Sequence, residues 1–266
     1  MTLDPVARPD RVRAAYVDSD KFMDRVALYA HQEPPVDYPG WALEHIDREL
    51  DSAALVLDVG CGPGLYVRRL QARDVRCVGV DLSPGMIREV GGGLVGDAVR
   101  LPTRTGCADV ALAMHFLYHV PDIDAAVREL ARVVAPDGTV LVGTNGQMHH
   151  RRVPETLAFA AGVDALQKPG DRFHLDNAVR FLRPHFGVVV EDIVRSQVVL
   201  TDPEPFVRFV ASCGELYEPL LPPGTDWDAL MIEVRRVVTD EIASHGRFEM
   251  GTESGVFVCR HPREGT

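Results

Sequence analysis

The sequence predicts an α/β chain: a doubly wound, mostly parallel sheet of seven strands, with a helical lid ahead of it and a helical insertion before the last strand. Two observations lead there. Short apolar runs alternate with amphipathic stretches from Leu55 to Gly143. The first run ends in a glycine-rich turn, VLDVGCGPG (Val56 to Gly64), and the second ends in an acid, Asp81, within VGVDLSP (Val78 to Pro84). Asp81 stands 21 positions beyond Gly60. That is the length of one helix plus one strand, enough to return a carboxylate beside the turn where it can accept from ribose hydroxyls.

The elements follow in order. Residues 10–31 read as a helix with Val12, Tyr16, Phe22, Val26 and Tyr29 on its apolar stripe, and PPVDYPG (Pro34 to Gly40) interrupts it. A short helix, Trp41 to Leu50, leads into the first strand, Leu55 to Val59, and the helix Gly64 to Ala72 follows the turn. The second strand is Arg76 to Val80. Ser83 then caps a helix with Pro84 at its first position, and three glycines from position 91 end it. Leu94 and Val95 form a short third strand, Asp109 to Met114 the fourth, Ile123 to Val134 a helix and Thr139 to Gly143 the fifth strand. Beyond Gly146, the segments Gly187 to Ser196 and Ser254 to His261 read as two more strands. The helical stretch between them, Pro203 to His245, is too long for a hairpin loop. The domain reading is a lid over residues 1–50, a core over 51–200 and 250–266, and a cap over 201–249.

Within the turn, Gly60 and Gly62 permit close approach of backbone to a ligand, and Gly64 opens the helix. A dehydrogenase-type G-x-G-x-x-G would need a small residue at position 65, where this chain has Leu65. Asp58, just inside the turn, would repel a diphosphate but suits loop amides or a cationic amino group. A zwitterionic ligand therefore fits better than a dinucleotide. Cys61 reads as a small packing residue.

VLDVGCGPG and VGVDLSPGM resemble the first two motifs of the class I S-adenosylmethionine-dependent methyltransferases. VGDAVRLP (Val95 to Pro102), ADVALAMHFLYHVPD (Ala108 to Asp122) and ELARVVAPDGTVLVGTNG (Glu129 to Gly146) resemble the motifs that follow in the same order. The resemblance implies a Rossmann-like core with S-adenosyl-L-methionine as cofactor. It assigns cofactor contacts to Asp58, Gly60, Cys61, Gly62, Gly64, Asp81, Leu82, Met86, Asp97, Ala98 and His115, with Asp97 meeting the adenine amino group. It also implies that the N-terminal segment folds over the cofactor, which makes Tyr16, Arg25 and Tyr29 candidate contacts. The last two strands would form an edge hairpin whose insertion covers the acceptor.

Methyl transfer from a sulfonium is an in-line displacement, so the chain must align the acceptor and give its proton somewhere to go. His115 is the first candidate base and His119 the second; Tyr118, Tyr16 and His149 are candidate substrate contacts. His149, His150, Arg151 and Arg152 face the acceptor end or form a solvated loop run. His174 is a weaker candidate, and no metal-ligand spacing stands out.

With 266 residues, 46% of them hydrophobic, a sizeable core is available. The net charge of −11 opposes a phosphate backbone, and the fourth motif reads HFLY where amino-methylating nucleic-acid enzymes carry Asn/Asp-Pro-Pro-Tyr/Phe. The five cysteines form no C-x-x-C pair, and no run approaches a membrane span of about 18 apolar residues. The expected partner is a small organic acceptor, by family analogy a secondary metabolite, with no nucleic acid and no membrane. The expected compartment is the cytoplasm. The acceptor atom (O, N or C) and the oligomeric state, a homodimer included, stay open. Two other readings stand beside this one: a non-methylating step such as cyclisation on the same fold, and a nicotinamide oxidoreductase, which Leu65 opposes.

Overall fold

The computed structural model describes residues 20–50, 53–168 and 171–263. Tyr16 and the first half of the expected N-terminal helix lie outside these residues. The second half is α1 (Asp20–Ala27), which tightens into a 3-10 turn at Leu28–His31 and runs into β1 (Gln32–Glu33). Proline in its first turn starts α2 (Tyr38–Glu44). Then come β2 (Leu55–Val59), α3 (Leu65–Gln71), β3 (Arg76–Asp81), α4 (Pro84–Val90), β4 (Gly93–Val95), β5 (Ala108–Met114), α5 (Ile123–Val133) and β6 (Val134–Asn145). The Ser83 hydroxyl caps α4 by accepting from the Met86 N–H, and Gly91 closes it in the left-handed region.

The C-terminal part adds α6 (Arg152–Ala161), α7 (Leu175–Leu182), β7 (Phe186–Leu200), α8 (Glu204–Ser212), α9 (Gly214–Tyr217), α10 (Trp227–His245) and β8 (Phe248–Pro262). One sheet results, in the order β1-β7-β8-β6-β5-β2-β3-β4. Strands β2 to β6 pair in parallel, and β8 pairs antiparallel with both β6 and β7.

The expected doubly wound, mostly parallel α/β fold is what forms, with eight strands instead of seven. The additional one is β1, two residues pairing with Val198 and Gln197 of β7, too short to leave a period in the sequence. The last two strands also run longer than read, pairing from Phe186–Pro262 through Leu200–Phe248. Polar residues and Gly251 mask the alternation at their far ends. Residues 152–161, to which the sequence reading assigned no element, are helical.

Alternation decides which face each strand residue takes. Val56, Val110, Leu112, Leu141, Val256 and Val258 pack against Leu43, Ile46, Tyr66 and Leu70 on one face. Leu57, Val59, Ala111, Ala113, Val140, Val142 and Phe257 face α5 and α7 on the other. The alanines let α5 sit close to the sheet. A third apolar cluster lies beneath the insertion, where Phe206, Phe209, Val234 and Val238 meet Val153, Leu157, Val198, Phe248 and Met250. Each fully buried aliphatic or aromatic side chain contributes about 1.5–3 kcal/mol, so this cluster fixes the insertion over the carboxyl end of the sheet.

Candidate active site

The chain runs outward from β2 through β3 to β4 on one side and from β5 to β6 on the other, so the winding reverses between β2 and β5. Ligands of open α/β sheets bind at such a reversal, outside the carboxyl ends of the strands. A cavity of about 880 Å³ opens there.

The turn after β2 forms one wall. Gly60, Gly62 and Gly64 all have positive φ, at 66°, 51° and 88°. At Gly60 a Cβ would lie 2.5 Å from Cδ1 of Phe116, so only glycine lets that ring close over the turn. At Gly62 a Cβ would meet nothing within 4 Å. Gly64 caps α3 and stands beside the cavity without lining it. The Cys61 thiol is buried against Gly79, and burial pushes its pKa up, in keeping with a packing role.

Two carboxylates share this corner with different surroundings. Asp81 accepts from the Gly62 N–H at 2.9 Å and the Ser83 N–H at 2.8 Å. Asp58 is 1% exposed, and neither of its oxygens has a hydrogen-bond partner among the described residues. Ordering the loop amides, expected of Asp58, therefore falls to Asp81. Burial, and then the charge of Asp81, push the Asp58 pKa up to about 8. An orphaned carboxyl aimed into a cavity fits the ammonium of a zwitterionic ligand and opposes a diphosphate. Leu82, Met86, Asp97 and Ala98 line the same space, with Asp97 accepting from the Val99 N–H at 3.1 Å.

The rest of the cavity lining is rich in imidazole and phenol. His115 ends β5 with φ 57°, its N–H donating to the Gly143 carbonyl at 2.9 Å and its ring 4.9 Å from that of Tyr38. Burial lowers its pKa to about 4. His119 is brought to about 3 by burial and by the Arg25 guanidinium, and Tyr118 packs edge-on to it. The Arg25 guanidinium also donates to the Ser212 carbonyl.

His149 accepts from the Glu253 N–H through Nδ1 at 3.1 Å, which fixes the proton of its neutral form on Nε2. From there it donates to the Tyr29 hydroxyl oxygen at 3.1 Å. His150 lies face to face with Tyr29, ring centroids 5.4 Å apart, and its Nε2 is buried without a partner among the described residues. His174 caps α7 in reciprocal bonds with Asn177 and bonds Gln147 and Asp176 through its ring. Arg151 and Arg152 turn away from the cavity, to Glu155 and to Glu241 of α10.

Thus all the expected site residues except Tyr16 and Gly64 border one cavity. Lys168, Asp171 and Tyr217 border it too. Lys168 was invisible in the sequence because a lysine before Pro-Gly reads as an ordinary solvated turn. Among the described residues no helix is long and apolar enough to cross a membrane.

Residues 57–142 match the family model of the methyltransferase domain. Ajmaline N-methyltransferase of Rauvolfia serpentina is 33% identical over 102 residues, covering 33% of this chain and 34% of that protein. Ubiquinone biosynthesis O-methyltransferase of Xanthomonas oryzae pv. oryzae is 31% identical over 130 residues, 44% of this chain and 52% of its own. The chain spans about half the length, or less, of these curated relatives. In fold it is similar to the Haemonchus contortus phosphoethanolamine N-methyltransferase 2 solved with phosphomonomethylethanolamine and S-adenosylhomocysteine. The TM-score is 0.50 and the identity 16%, over 84% of this chain and 53% of that one.

Proposed function

We propose that this chain, built on a class I S-adenosylmethionine-dependent methyltransferase domain, transfers a methyl group to an oxygen, nitrogen or carbon atom of a small organic acceptor. The observation that carries the reading is the buried, partnerless carboxyl of Asp58 in the same cavity as Asp81 and the histidine cluster. It suits a ligand with an ammonium at one end, and the acceptor end of the cavity opens from there.

When bound, S-adenosylmethionine supplies a methyl group on a sulfonium, which an electron-rich atom takes by in-line displacement. Asp58 would hold the amino group, Asp81 would accept from ribose hydroxyls with the lone pairs its amide donors leave open, and Asp97 would meet the adenine. Of the expected lid over residues 1–50, the described residues 20–50, together with residues 201–249 as a cap, would keep water from the acceptor. His115 is the first candidate base and His119 the second. A base that stays neutral down to about pH 4 takes a proton poorly from a phenol of pKa about 10. The acceptor atom is therefore one with a free lone pair or with an acidity raised by the cationic groups around it. The enzyme works in the cytoplasm, where five free thiols stay reduced.

Calorimetric titration with S-adenosylmethionine, S-adenosylhomocysteine and NAD tests the cofactor. Binding of the first two without the third is expected, and binding of NAD alone would overturn the assignment. Release of S-adenosylhomocysteine on adding acceptor then separates methyl transfer from a non-methylating step.

A further inference from the structure

At the acceptor end, Lys168 lines the cavity, and among the described residues its ammonium is held by the backbone carbonyls of Gly146, at 3.0 Å, and Gln147, at 3.5 Å. An ammonium has three protons and a full charge, and two carbonyls leave that charge without a counter-ion. The acids acting on it through space are Asp171 and Glu253, and the Glu253 carboxylate is already engaged by Arg195 at 2.7 Å. No carboxylate forms an ion pair with Lys168 among the described residues. Burial lowers its pKa to about 8, so it is charged at neutral pH.

The same cavity is lined by the imidazoles of His149 and His150, tilted 30° to each other with ring centroids 3.9 Å apart, and both feel the Lys168 charge. The Lys168 charge is one reason that both stay neutral. His150 is 6% exposed, and its Nε2 has no partner among the described residues. Tyr29, having received the Nε2 proton of His149, keeps its own hydroxyl proton to donate into the cavity. A cation that no described carboxylate pairs, a buried imidazole nitrogen without a partner among the described residues and a phenol set to donate thus line one cavity.

We propose that the acceptor carries an ionised acid group, a carboxylate or an equally acidic enol, which sits against the Lys168 ammonium beside Tyr29 and His150. The word acceptor rests on the methyltransferase reading; the anion site does not. An anion here forms a charge-assisted hydrogen bond with Lys168 in a partly dry site, where such bonds are strongest. With the His150 proton on Nε2, the anion also accepts from that nitrogen and supplies the partner it lacks. The same positive surroundings acidify a neighbouring hydroxyl of the acceptor, which compensates for the weakness of His115 as a base.

The test uses the full chain loaded with S-adenosylhomocysteine and matched pairs of aromatic carboxylates and their primary amides: benzoate and benzamide, salicylate and salicylamide, indole-3-acetate and its amide. Calorimetry should show an acid of the series binding about tenfold or more tighter than its amide, the size expected of one hydrogen bond to a charged group. Lys168→Met should erase that preference while leaving S-adenosylhomocysteine affinity unchanged. Acid binding should also fade as pH rises beyond 8, where the ammonium loses its proton, while amide binding stays level. Equal binding of acid and amide, no acid bound in the whole series, or a preference that survives Lys168→Met would each overturn the proposal. If S-adenosylhomocysteine itself fails to bind, the methyltransferase reading falls, and the same series on the bare protein still decides for or against the anion site.

Discussion

Asp58 and Asp81 meet in one buried corner, and only Asp81 is given hydrogen-bond donors, the amides of Gly62 and Ser83. On the proposed reading, the asymmetry makes Asp58 the group whose protonation the cofactor would change. Its folded-state pKa of about 8 lies above the ordinary 3.8, so its contribution to stability is full below about pH 4 and is lost as pH rises through 8. Asp58→Asn should therefore raise the stability of the ligand-free protein by an amount that grows from pH 5 to pH 8, on the order of a few kcal/mol. The same substitution should weaken S-adenosylmethionine. In the parent protein, binding at pH 7 should expel close to one proton, read by calorimetry in buffers of different ionisation enthalpy. Zero proton release would remove Asp58 from the amino-group site.

Gly60 and Gly62 share a left-handed backbone but not a neighbourhood. Gly60→Ala adds about 1–2 kcal/mol of backbone strain and about 1–3 kcal/mol of overpacking against Phe116. It should lower the denaturant midpoint clearly. Gly62→Ala meets no protein atom and should cost only the strain, yet its methyl group points into the open cavity. The second variant should stay folded and lose cofactor affinity; equal losses of stability in both would contradict this division.

Much of this site was legible in the sequence because its cofactor half is written in local chemistry. Glycines that need positive φ, an acid one helix and one strand later, and Ser83-Pro84 at a helix start are each dictated within a few residues. Asp81 ends β3 where the spacing put it, and Ser83 caps α4. The acceptor half was less legible because long-range contacts build it. The His149 tautomer is set by an amide 104 positions away, at Glu253, and the exposure of Lys168 to the cavity depends on how the chain passes beneath the insertion. Arg151 and Arg152, which the sequence left between facing the acceptor end and a solvated loop run, stand at the start of α6 and pair with Glu155 and Glu241. β1 had no periodicity to read, since its two residues are a strand only through their pairing with β7.

His115 joins a strained backbone to a suppressed basicity. Asparagine tolerates φ 57° better than alanine does, so His115→Asn should keep the turn while His115→Ala adds about 1–2 kcal/mol of strain. If His115 is the base, the asparagine variant should lose about 10²-fold or more in turnover with S-adenosylhomocysteine affinity nearly intact. Loss of both would mean that the ring shapes the cofactor pocket instead.

The cluster of neutral histidines makes the fold sensitive to acid. His115, His119 and His150 have folded-state pKa values of about 4, 3 and 3, below the ordinary 6.5, and His149 is lowered as well. Each contributes stability that is full above pH 6.5 and is lost as pH falls toward its folded value. Between pH 6.5 and 4 the unfolding free energy should drop by about 1.4 kcal/mol per pH unit for each of them. Denaturant midpoints across this range should show a slope of more than one proton, and His150→Phe should reduce it. A flat profile would mean that the imidazoles are hydrated.

Tyr29 and His149 form a directed pair: the Glu253 amide occupies Nδ1, so Nε2–H must donate and the phenol oxygen must accept. Tyr29→Phe therefore leaves a buried Nε2–H without a partner, at a cost of about 1–3 kcal/mol. His149→Asn removes the donor and frees the hydroxyl to find another partner. Combined, the two substitutions should cost less than the sum of the single ones, with a coupling of about 0.5–1.5 kcal/mol in a double-mutant cycle of stability. Additivity within error would mean that the two side chains do not hold each other. In that case the Tyr29 hydroxyl is not pointed at the acceptor by His149, and the anion site at Lys168 must work without it.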